Sequence, residues 1–161
     1  MFQNFADELS GDLAVPLEIV LFRIVGATLL CGLVGLEREF QKNAAGIRTN
    51  MLIGLAACTF CLITLQLMEI MSTASDAARL DPIRLVEAVT AGVAFLAAGV
   101  VVYTKGDVQG LTTGASMWLS AAIGLAAGLG IWPIAVVVTV VGVIILWVLR
   151  HIEVAAGLKE K

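Results

Sequence analysis

A dense group of ionisable side chains separates the first two apolar stretches of the chain. Five of them fall within the twelve positions 37–48, although only 14% of the residues are charged. Charge is costly where a membrane helix leaves the hydrocarbon, so it usually marks a site. This group is interpreted either as a salt-bridge network that fixes how two helices meet or as a contact site for a ligand, an ion or a protein. The residues that form this polar knot are Glu37, Arg38, Glu39, Gly46, Arg48 and Thr49.

A second polar segment, residues 110–116, opens the fourth apolar stretch. Glycines before a threonine-rich helix start let backbone N–H groups approach an anion or a neighbouring loop. A plain turn with a helix N-cap has the same composition. Because polar groups near hydrocarbon seek one another, we expect the knot to contact this segment at the same membrane face. Its candidate functional residues are Thr112, Thr113 and Ser116.

A row of small residues continues along the fourth stretch at intervals of four: Ser116, Ser120, Gly124 and Gly128. Membrane helices gain little from burying apolar surface against each other, so small residues serve to bring backbones close. We expect the closest backbone approach of this helix along that row. The neighbouring helix belongs either to the same chain or to a second copy.

Two opposite charges lie inside apolar stretches at similar depth. Arg23 is about six residues into the first stretch and Glu87 about five into the third, which corresponds to about 9 and 8 Å. An isolated charge at this depth is expensive. We therefore expect a buried ion pair in the outer half of the bilayer, with an ion or proton path as the alternative interpretation.

The sequence contains no catalytic constellation. It has no Ser/His/Asp arrangement, no metal-binding quartet and no phosphate-binding P-loop, so we expect no enzymatic activity, no cofactor and no metal site. Cys58 and Cys61 form C-x-x-C, which can indicate a redox pair or half a zinc site. Thiols in hydrocarbon are poorly ionised, so packing is the favoured role for these two and for Cys31. A net charge of -3 leaves no basic surface for nucleic acid.

The composition predicts an all-α membrane protein. Hydrophobic residues make up 60% of the chain, above the 45–50% or so that is typical of soluble domains. A hydrocarbon core about 30 Å thick takes roughly 20 helical residues. We expect a bundle of about five transmembrane helices, with four spans and one re-entrant hairpin as the alternative. The windows that qualify are 17–36, 51–71, 85–103, 111–130 and 133–149.

The distribution of Lys and Arg predicts the orientation, because short cytoplasmic loops carry an excess of both. With the N-terminus outside and the C-terminus in the cytoplasm, the outer side receives only Arg79 and Arg84. The predicted organisation is an acidic extracytoplasmic segment (1–16), a transmembrane domain (17–150) and a short cytoplasmic tail (151–161). The cytoplasmic side receives Arg38, Lys42, Arg48, Lys105, Arg150, Lys159 and Lys161.

Several motifs in the same order resemble the membrane domain of the MgtC/SapB family, over about residues 23–150. The matching segments are 35–39 (GLERE), 45–49 (AGIRT), Asp81-Pro82, Phe95-Leu96 with Ala98-Gly99, and 110–113 (GLTT) with Ala115-Ser116 and Trp118. The chain departs from the pattern at Ala88 and Ala91, where the family often has Gln and Ser. It also has Asn50 where His commonly follows the Arg-Thr pair.

The resemblance implies a protein of the bacterial inner membrane, in a virulence-associated family tied to growth in low magnesium and survival inside host cells. Members are thought to bind other membrane machines, including the F-type ATP synthase, rather than to act by established transport. The chain resembles the short form that lacks the soluble C-terminal domain. We expect a non-enzymatic modulator of magnesium or ion homeostasis that binds a membrane partner, such as the ATP synthase or a transporter. The alternative is a small ion-conducting or transport protein that uses Arg23, Glu87 and the knot. A homo-oligomer is expected, because five short spans give little internal core.

Overall fold

In a computed structural model of the protein, the described residues are 13–41, 43–72, 81–104 and 107–155, and they form five helices and a short β-hairpin. In chain order these are α1 (Leu17–Phe40), α2 (Ile47–Ser72), α3 (Pro82–Val100), β1 (Val102–Thr104), β2 (Asp107–Gln109), α4 (Leu111–Gly128) and α5 (Trp132–Ala155). The two strands pair antiparallel, with Tyr103 opposite Val108. The predicted helical class is confirmed.

Helices α1 to α4 are each long and apolar enough to cross a membrane, and their lengths run from 18 to 26 residues. The apolar part of α5, Trp132–Val148, is shorter. The prediction of several helices that can each span a membrane is therefore confirmed for these four.

Helix α4 lies at the centre of the bundle. It packs against α1, α2, α3 and α5, and 67% of its apolar window is buried, compared with 28% for α1 and for α2 and 11% for α3. Alanine, glycine and serine let four neighbours approach one helix closely, because their side chains add little width. Helix α3 is the peripheral member and rests mainly on α4.

The ends of α3 and α4 follow from local chemistry. Asp81 caps α3, because its Oδ1 accepts a hydrogen bond from the Ile83 N–H at 2.9 Å, and Pro82 follows as the first helical residue. The helix ends at Val100, earlier than the predicted 103, because the chain enters β1. Gly110 precedes α4 with φ 88°, where a Cβ would overlap the Val100 carbonyl oxygen, so the tight return requires glycine.

Helix α5 is less exposed to lipid than its apolar sequence predicts. Ala135 and Thr139 on one face are 0% and 2% exposed, and a Cβ on Gly142 would overlap the side chain of Leu119 on α4. Helix α5 therefore packs against the bundle along this face, because small residues there admit a neighbouring helix.

Candidate functional site

Arg38, in the last turn of α1, is the centre of the knot. Its side chain is only 3% exposed, and Nη2 donates a hydrogen bond to Oγ1 of Thr113 at 3.2 Å. A cation suits this position because the C-terminal end of a helix carries partial negative charge. Its Nε is buried and has no hydrogen-bond partner among the described residues. The structure thus brings the knot into contact with segment 110–116, as expected.

Glu39 fastens the start of α2 to the end of α1. Its Oε2 accepts a hydrogen bond from the backbone N–H of Ile47 at 3.1 Å, which satisfies one of the free amides at a helix N-terminus. A Cβ on Gly46 would overlap this carboxylate. Glycine at position 46 therefore leaves room for the contact between Glu39 and Ile47. Glu37 is half-buried.

Asn50 is a buried polar residue of this region that was not among the predicted site residues, although it stands where the family commonly has His. It is fully buried, and its Nδ2 donates to the carbonyls of Ala45 at 3.2 Å and Gly46 at 2.9 Å. Its Oδ1 accepts a hydrogen bond from the Ser120 hydroxyl at 2.8 Å, and the Ser120 carbonyl accepts from the Cys31 thiol at 3.3 Å. This network joins α1, α2 and α4. The sequence signal that could have identified Asn50 is an amide side chain near the start of an apolar helix.

The small-residue row of α4 faces α2 of the same chain. A Cβ on Gly124 would lie 2.9 Å from the Cα of Gly54 and 2.9 Å from the Cβ of Ala57. A Cβ on Gly128 would lie 2.7 Å from the Cβ of Cys61. Ser116 and Ser120 are also buried, at 2% and 0% exposure. The predicted close approach along this row is formed within one chain.

The predicted ion pair between Arg23 and Glu87 is wrong. Arg23 donates from Nη1 to the Gly128 carbonyl oxygen at 2.7 Å, whereas Glu87 is exposed on α3. The carbonyls that end a helix have no partners within it and carry its negative pole, so a guanidinium is well placed there. Similar depth did not make the two charges neighbours, because α3 rests on α4 and not on α1.

The remaining candidates at the knot end differ in exposure. Arg48 and Thr112 are exposed, and Thr49 is half-buried. Ser116 donates its hydroxyl to the Thr113 carbonyl at 2.8 Å. In the part of the chain that the structure describes, no cluster of three or more His, Cys, Asp and Glu side chains could hold a metal ion.

The chain is similar in sequence to several known proteins. The model of the MgtC family matches residues 24–155. An uncharacterised protein of Haemophilus influenzae is 38% identical over 127 residues, which cover 78% of this chain and 53% of that protein. The putative magnesium transporter YhiD of Escherichia coli K12 is 32% identical over 133 residues, covering 82% of this chain and 61% of that protein. Protein MgtC of Brucella abortus is 37% identical over 125 residues, covering 78% of this chain and 49% of that protein. This chain therefore spans about half to three fifths of the length of these relatives, and no solved structure matches it.

Proposed function

This chain belongs to the MgtC family, and from that premise we propose that it is a non-enzymatic modulator of magnesium or ion homeostasis that binds another membrane protein. The name of the Escherichia coli relative, a putative magnesium transporter, supports the connection with magnesium. The family resemblance suggests the ATP synthase or an ion transporter as the class of partner.

The observation that carries the proposal is the exposed surface of the knot end. Phe40 and Leu111 are 74% and 62% exposed, and charged or polar side chains are exposed beside them. Large apolar groups with a polar surround are typical of protein contact surfaces. This knot surface consists of Glu39, Phe40, Arg48, Leu111 and Thr112.

The buried part of the knot supports a rigid contact surface. Arg38 and Asn50 are buried and hydrogen-bonded across helices, and Glu39 caps α2. These hydrogen bonds join α1, α2 and α4 at the knot end of the bundle. A surface held in this way loses little conformational entropy when a partner binds.

The proposal includes the membrane arrangement. We place the protein in the bacterial inner membrane with five spans, the N-terminus outside and the knot surface in the cytoplasm. The support is the excess of Lys and Arg on the knot side and the apolar part of α5, Trp132–Val148, because its length is at the lower end of the roughly 17–25 residues that cross the hydrocarbon.

Crosslinking in native membranes followed by affinity purification tests the contact surface. The double variant Phe40→Ala with Arg48→Glu is expected to lose a partner that the wild-type protein captures. The matched control, Phe95→Ala with Arg84→Glu, removes an equally exposed Phe and reverses an exposed Arg away from the knot, and it should capture the partner normally. Equal capture by both variants would refute the knot surface as the contact site.

Transport is the second candidate, favoured by the relative named as a magnesium transporter. The contact of Arg23 argues against transport. Its guanidinium is bonded to the Gly128 carbonyl at the end of α4 and so serves the packing of α1 on α4. Liposomes that contain only this protein separate the two functions. The modulator is expected to give no magnesium flux above that of empty liposomes, and a flux that depends on the protein would establish transport instead.

A further inference from the structure

A long apolar groove separates α2 from α3. It has a volume of about 750 Å³, and Met117 of α4 contributes to its lining. Leu52, Ala56 and Phe60 form one wall, and Ala88 and Gly92 belong to the other. Small side chains open it, because Ala56, Ala88 and Gly92 leave room where larger residues would meet across the two helices.

The groove is long enough to hold a lipid chain. Its α2 wall runs from Thr49 to Thr64, a length of about 22 Å at 1.5 Å per residue. A volume of about 750 Å³ spread over this length leaves room for an extended hydrocarbon chain. A single lipid leaflet is about 15 Å deep, so a lipid chain fits within the length of the groove.

The charges on the two walls select the headgroup. Arg48 is exposed and precedes Leu52 by one helical turn, so it lies above the groove wall at the knot end. The knot-side halves of the walls, residues 47–57 and 89–100, contain no Asp or Glu. The opposite halves contain Glu69 on α2 and both Arg84 and Glu87 on α3. Excess positive charge is therefore confined to the knot end of the walls, where it favours an anionic group.

We propose that this groove binds one acyl chain of an anionic phospholipid, with the headgroup phosphate at Arg48. A guanidinium forms charge-assisted hydrogen bonds with phosphate oxygens, and the apolar walls bury the chain. This lipid site is separate from the knot surface proposed to bind a protein partner, except that Arg48 borders both. Filling the groove from α3 therefore tests the lipid site without altering the partner surface.

Native mass spectrometry of the purified protein tests the proposal, with phosphatidylglycerol and phosphatidylcholine of identical chains as probes. The wild-type protein is expected to retain phosphatidylglycerol in preference to phosphatidylcholine. A Cβ on Gly92 meets nothing within 4 Å, and Gly92 lines the groove, so Gly92→Leu adds a side chain that occupies part of the groove. Because the filled groove no longer holds the chain in close contact with its walls, phosphatidylglycerol retention by this variant should fall clearly below the wild-type level. Arg48→Gln should abolish the preference between the two lipids.

Gly99→Leu is the matched control. Gly99 also lies on α3 with nothing within 4 Å of a Cβ, but it does not line the groove, so retention should remain at the wild-type level. Ala88→Phe fills the same groove from another position and serves if Gly92→Leu is unstable. Unchanged lipid retention in both filled variants would overturn the proposal. So would conversion of a dimer to a monomer by Gly92→Leu with lipid binding unaffected, which would identify a second copy as the occupant.

Discussion

Replacing Asn50 with Ala is expected to be among the most damaging polar substitutions in the protein. The change removes three hydrogen bonds in a fully buried position: two to the carbonyls of Ala45 and Gly46, and one from the Ser120 hydroxyl. A net value of about 1 kcal/mol per bond, as in soluble proteins, gives about 3 kcal/mol. Bonds between membrane helices average about 0.6 kcal/mol, which gives about 2 kcal/mol. We therefore expect a loss of about 2–3 kcal/mol in the free energy of unfolding.

Reversible unfolding in mixed micelles, followed by tryptophan fluorescence, measures this loss, since the chain has three tryptophans. Ser120→Ala removes one of the three bonds and should cost about 1 kcal/mol. The double variant should be less unstable than the sum of the two single variants by about that amount. Asn43→Ala is the control, because the half-buried Asn43 side chain makes only long contacts of 3.4 Å. A cost below about 1 kcal/mol for Asn50→Ala, or strict additivity with Ser120→Ala, would refute the assigned network.

Three further substitutions test the packing, each by the same unfolding measurement. Gly124→Leu should destabilise the protein by about 3 kcal/mol or more, because its side chain would enter the backbone of α2, while Ala122→Leu on the exposed face of α4 should change little. Thr113→Val should cost about 2 kcal/mol, because it removes the acceptor of the buried Arg38 guanidinium. Glu87→Gln should not destabilise the protein, because Glu87 is exposed on α3 and a neutral side chain is less costly than a charge next to hydrocarbon. A loss of about 3–5 kcal/mol for that last variant would restore the buried ion pair with Arg23.

The contact between the knot and segment 110–116 could be predicted from sequence. Both segments flank loops on one side of the bundle, and an interfacial Arg with hydroxyl groups nearby has few other partners. This prediction depends on position along the membrane normal, which the pattern of apolar stretches indicates. The cap of α3 by Asp81 is local, and an Asp-Pro pair is a typical helix start.

The lateral order of the helices was not predictable in the same way. Arg23 and Glu87 were paired because their depths match, but hydropathy does not state which helices are neighbours. Helix α3 rests on α4, and the C-terminal carbonyl of Gly128 provides the acceptor for Arg23. Matching side-chain charges cannot identify a backbone acceptor. The prediction that Arg23 needs a partner was therefore correct, but the predicted partner was not.

The two cysteines of the C-x-x-C motif illustrate how packing explains a pattern that also suggests chemistry. Cys58 and Cys61 are fully buried, and with Gly54 they follow a spacing of four and three residues, which places all three on one face of α2. Gly128 of α4 meets Cys58 and Cys61, and Gly124 meets Gly54. A thiol is small and apolar, so cysteine suits a position where two backbones approach closely. The C-x-x-C motif is thus part of the α2 surface that packs against the row of serines and glycines on α4. The spacing of small residues on each helix is explained by the close approach of the other helix.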